Sequence, residues 1–137
     1  MPLSLLYPVL AQIALTLLVY GGLSLTRQRA LRAREVRLGD IALDKARWDD
    51  TSRKWSNNLD NQFQTPVLFY VICGVATFTG AAGLIMTVLA WAYVVTGIVH
   101  VYIHTGANDL RRRFWVFLVG YSILVAMFVG VIVQLVL

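Results

Sequence analysis

The sequence predicts an all-α integral membrane protein, a bundle of four transmembrane helices. Of its 137 residues 58% are hydrophobic and only 14% charged, where a soluble domain of this size carries far more charge on its surface. Asp, Glu, Lys and Arg are absent from residues 3–25, 63–107 and 114–137. All twelve Lys and Arg residues fall in the two intervals between those stretches.

The first charge-free stretch, at ~1.5 Å per residue, is long enough to cross a ~30 Å hydrocarbon core. It reads as a span over about residues 3–25. A cleaved signal peptide is the poorer reading, because the apolar run is long, no Lys or Arg precedes it and no small-residue cleavage site follows. Residues 26–62 form a long polar loop. Within it Leu31, Leu38, Ile41 and Trp48 are spaced loosely enough for a helix lying on the membrane surface, and a solvated connector fits equally well. Gly39 and Asp40 would interrupt such a helix, with Asp40 able to cap a second one. Trp48, Trp55 and Trp115 suit the headgroup layer.

Residues 63–107 are about twice the length of one span. The "GAAGL" at residues 80–84 is the natural turn of a helical hairpin, which gives spans over about 63–80 and 84–107. Residues 114–137 give the fourth, and the chain forms one membrane domain, 1–137. Gly74, Gly97 and Gly120 read as points of close helix packing. Cys73, the only cysteine, lies inside a span and reads as packing material.

With four spans, loops 26–62 and 108–113 share one side of the membrane. The positive-inside rule places both in the cytoplasm and both termini outside. The net charge of +5 is thereby a topology signal. Nucleic acid is not expected as a partner, since nine of the basic residues share their loop with six acids and no stacking motif accompanies them.

Polar residues concentrate in the cytoplasmic leaflet. If the second helix starts near Ser56, then Asn57, Asn61 and Gln64 follow at spacings of four and three and share a face. Pro66 removes the N–H that would bond to the carbonyl of Gln62. On the third helix His100 and His104 are four apart, and Arg111 is eleven from His100. These three align in a ladder if the helix continues past the membrane boundary. The amides would then face the histidines and Arg111 across a polar pocket, away from lipid. A lone His pair is half of a metal site and no carboxylate or thiol shares its face, so no metal is expected.

"NQFQTPVLFY" together with "HVYIHTGANDLRRRFWVFLVGY" resembles the family of membrane-associated proteins in eicosanoid and glutathione metabolism. The resemblance is nearest to its short bacterial members, related to microsomal glutathione transferases and leukotriene C4 synthase, and it covers essentially the whole chain. It implies a homotrimer in a bacterial inner membrane, with three intersubunit pockets near the cytoplasmic face that take glutathione and open sideways to lipid. Its second-helix pattern is Arg, Asn four later and Glu three beyond; here those places hold Asn57, Asn61 and Gln64. Its third-helix pattern is Arg, Tyr, Tyr, Arg; here it reads Gly97, His100, His104 and Arg111. The resemblance makes Arg111 the thiolate-stabilising residue and the other five amide and imidazole positions candidate ligand contacts.

Three functions remain open on this reading. The first is a glutathione-dependent transferase or peroxidase for lipophilic electrophiles. The second is a non-catalytic trimer binding lipid or another apolar ligand in the same groove. The third is a proton or ion carrier using the histidines, for which neither a second polar patch nor a broken helix supplies a path.

Overall fold

The computed structural model describes residues 3–136. They are helical, with no strand among the described residues. A 3-10 turn at Leu3–Leu5 leads into α1 (Leu6–Arg32). Then follow α2 (Leu38–Ile41), α3 (Asp50–Gln62), α4 (Thr65–Phe78), α5 (Leu84–Thr105) and α6 (Leu110–Val136). Three helical segments are long and apolar enough to cross a membrane: Leu3–Arg32, Leu84–Thr105 and Leu110–Val136.

α1 buries Gln12, Leu15, Val19 and Leu23 at helical spacing on one face. It runs ~40 Å, beyond the end of its charge-free run. It closes at Ala33, whose N–H bonds to the Arg29 carbonyl, and the chain turns through Arg34 in the left-handed region (φ 56°). The surface helix envisaged for the loop is reduced to the four residues of α2 and a 3-10 turn at Lys45–Arg47. Asp40 lies inside α2 and caps nothing. The capping carboxylates are Asp44, which accepts from the Ala46 N–H (2.9 Å), and Asp49, which accepts from Ser52 (3.2 Å) and starts α3.

The second apolar stretch departs from a single helix. α3 begins at Asp50, well before Ser56, and ends at Gln62; α4 restarts at Thr65 and extends 14 residues, about 21 Å against a ~30 Å core. Pro66 is the cause. It cannot donate to the Gln62 carbonyl, so the N–H groups of Phe63 and Gln64 turn back to Asp60 and Asn61 (3.2 Å each), and Gln64 leaves the helical region. The hairpin turn falls where the glycines place it, with Gly80 at φ 79°. α6 starts at Leu110, four residues before the expected span, because Asp109 accepts from the N–H groups of Arg111 (2.9 Å) and Arg112 (3.1 Å). Leu137, the last residue of that expected span, lies outside the described residues.

α5 packs along α6, α4 lies against α6, and α3 is wedged between α1 and α5. The apolar core joins Phe69, Cys73 and Ala76 of α4 to Met86, Ala90 and Tyr93 of α5 and Leu124 and Met127 of α6. Phe69 and Tyr93 stack at 4.6 Å. Large apolar side chains such as Leu17, Leu18, Ile85 and Phe128 stay exposed, as a lipid-facing surface requires. The indole of Trp55 covers Gly22, where any Cβ would collide with the ring. That contact fixes α3 on α1.

Candidate functional site

α3 turns its polar face inward, onto α1 and α5. Asn58 is fully buried and its Nδ2 lies 3.1 Å from Nδ1 of His104, itself 2% exposed. Asn61 places its Nδ2 3.4 Å from the same nitrogen. An amide nitrogen only donates, so His104 Nδ1 accepts and the ring proton sits on Nε2. The chain of bonds continues away from the ring. Gln62 Nε2 donates to Asn58 Oδ1 (3.5 Å), and Gln62 Oε1 accepts from Gln12 Nε2 (3.1 Å) and Thr16 Oγ1 (3.3 Å). One helix, α3, thereby holds α1 and α5 through a single buried polar network. Gln12 Oε1 ends it, buried and without a partner among the described residues.

Beside the network lies a cleft of about 50 Å³. Gln12, Asn61, Gln64, Thr96 and His100 line it, together with Val116, Phe117 and Tyr121 of α6. At ~10–15 Å³ per water centre it accommodates a few waters within one chain. Tyr93 also lines it, donating to Thr65 Oγ1 (3.2 Å). His100 is half-buried and meets His104 edge-on, ring centres 5.5 Å apart. Among the described residues no group of three metal-ligating side chains forms. Gly97 and Gly120 do allow close packing, against Gln12 Oε1 and Thr96 Oγ1 respectively, whereas Gly74 faces open space.

The candidate residues are therefore only partly assembled. Asn61, Gln64 and His100 reach the cleft, and His104 is locked beneath it. Asn57 is exposed and points elsewhere. Arg111 does not extend a ladder from the histidines. α5 stops at Thr105 because Gly106 leaves the helix and Asn108 takes a left-handed φ of 55°, so Arg111 sits on the first turn of α6. Its side chain is exposed and makes no ion pair or hydrogen bond among the described residues. Its neighbours are engaged, Arg112 by Asp109 (3.7 Å) and Arg113 by Asn108 Oδ1 (2.7 Å). Arg113 is half-buried.

Four network residues escaped the sequence reading: Gln12, Thr16, Asn58 and Gln62. Gln12 carried a usable signal, as the one amide in the first charge-free stretch with Thr16 one turn later. Asn58 and Gln62 are also four apart, so spacing alone could not rank them against Asn57 and Asn61.

No curated protein and no solved structure matches the chain. The MAPEG family model matches residues 5–133, nearly its whole length. The match and the three long apolar helices together identify an integral membrane protein, and the chain belongs to the MAPEG family.

Proposed function

We propose that the protein is a glutathione-dependent transferase or peroxidase for lipophilic electrophiles, working in a pocket that further copies of the chain complete. The make-up of the cleft carries this reading: amides and an imidazole beside Val116 and Phe117 of α6 suit a polar thiol meeting an apolar co-substrate. One chain encloses room for a few waters only, so a tripeptide must extend over exposed surface. Arg111 stands at that end of the bundle with its guanidinium uncommitted. In the homotrimer that family membership suggests, a neighbour covers the cleft; with the short α4 as the fourth crossing, the positive-inside rule puts the cleft in the cytoplasmic leaflet and both termini outside.

In this arrangement Asn61 and Gln64 hydrogen-bond the peptide and His100 contacts it from α5. Arg111 favours the thiolate over the thiol, and the thiolate is the nucleophile. A specific observation supports a second reading: among the described residues no charged side chain lines the cleft. A lipid or another apolar ligand then occupies the groove, and the amides and histidines serve as ties between helices. The two readings separate in a turnover assay of the purified protein in lipid, given glutathione and an aryl halide. Glutathione-dependent loss of the halide above the protein-free rate is expected; no acceleration favours the apolar-ligand reading.

A further inference from the structure

A second groove, of about 470 Å³, lies between α1, the 3-10 turn at Lys45–Arg47 and α3, and shares no lining residue with the cleft. Its wall is apolar at Tyr20, Leu23 and Leu59, and its rim carries Arg27 and Lys45. Tyr20 and Leu23 belong to the charge-free run of α1, and Arg27 is the first cation after it. Over the ~10 Å from Tyr20 to Arg27, the groove passes from hydrocarbon depth to headgroup depth.

Arg27 is the unusual member. It is half-buried, one face of its guanidinium lies over Trp48 at 4.7 Å, and its Nε is buried with no hydrogen-bond partner among the described residues. The groove's one carboxylate, Asp60, is paired with Lys45 at 3.9 Å. The charge on Arg27 is therefore unmatched, and a part-buried cation without an acceptor is unfavourable. At the membrane surface the abundant acceptor is a phospholipid phosphate. A zwitterionic headgroup would bring its own ammonium beside Arg27 and Lys45, which an anionic one does not.

We propose that this groove binds an anionic phospholipid, with its phosphate on Arg27, Lys45 completing the rim, and an acyl chain along Tyr20, Leu23 and Leu59. The site is independent of the glutathione reading. The test is native mass spectrometry of the full-length protein exchanged into equal amounts of phosphatidylglycerol and phosphatidylcholine. Phosphatidylglycerol is expected to be retained preferentially. Arg27→Ala should cut that preference about fivefold or more, the share of one basic residue at an anionic surface. Asp60→Asn, at an exposed carboxylate, should raise it by freeing Lys45, a gain that misfolding cannot produce. Arg53→Ala, at a residue outside the groove that pairs with Asp50, should leave it unchanged. Equal retention of the two lipids, or a preference unmoved by Arg27→Ala and Asp60→Asn alike, overturns the assignment. So does a preference abolished by millimolar inorganic phosphate, which assigns the groove to the free anion.

Discussion

Asn58→Leu is expected to be the most damaging single substitution at the polar end of the bundle. Leucine is close to asparagine in reach but removes both the donor to His104 and the acceptor for Gln62. Each stranded buried group costs ~1–3 kcal/mol, softened at His104 because Asn61 still reaches its Nδ1. A loss of about 2–4 kcal/mol follows, read as a lowered unfolding midpoint in detergent. Asn57→Leu, one residue away on an exposed surface, should stay within ~0.5 kcal/mol. Equal effects at the two positions would contradict the inward phase of α3.

That pair of residues also shows where sequence reading stops. The charge-free runs, the turn at Gly80 and the membrane class were legible because hydropathy and glycine placement are properties of the chain taken one residue at a time. The inward direction of α3 is not. It depends on where the helix starts, which Asp49 decides, and on what it packs against, namely Gln12 and the Gly22 surface under Trp55. A phase error of one residue is ~100°, enough to exchange Asn57 for Asn58. Pro66 was legible as a missing donor, yet the outcome, two helices meeting at Gln64, depended on Phe63 and Gln64 turning back to α3. The His100–Arg111 ladder failed for a similar local reason, the left-handed turn at Asn108.

Arg111→Ala is expected to have the largest effect on activity. If glutathione reacts in the proposed pocket, its thiolate needs a cation, and Arg111 is the arginine on the α6 turn whose side chain makes no ion pair or hydrogen bond among the described residues. Arg112 and Arg113 are bonded to Asp109 and Asn108. Removing a group that stabilises the reacting charge costs ~10²–10³ in turnover in comparable sites, and an exposed arginine belongs at or below the lower end. The bound thiol should also titrate higher, by about one unit for each ~1.4 kcal/mol of lost interaction. Arg112→Ala, which breaks an exposed ion pair, should change turnover little. A thiol titration unmoved by Arg111→Ala would remove Arg111 from the mechanism.

The central claim is that the cleft beside the amide network takes glutathione, and a binding isotherm for glutathione on the purified protein in lipid tests it most directly. Wild type is expected to bind at millimolar concentration. Gln64→Glu, which places a carboxylate on the exposed break between α3 and α4, should bind more tightly by pairing with the tripeptide's ammonium group. At an exposed position the added carboxylate does not carry the desolvation cost of a buried one. Binding by neither protein at millimolar glutathione would contradict the account and leave the groove to an apolar ligand.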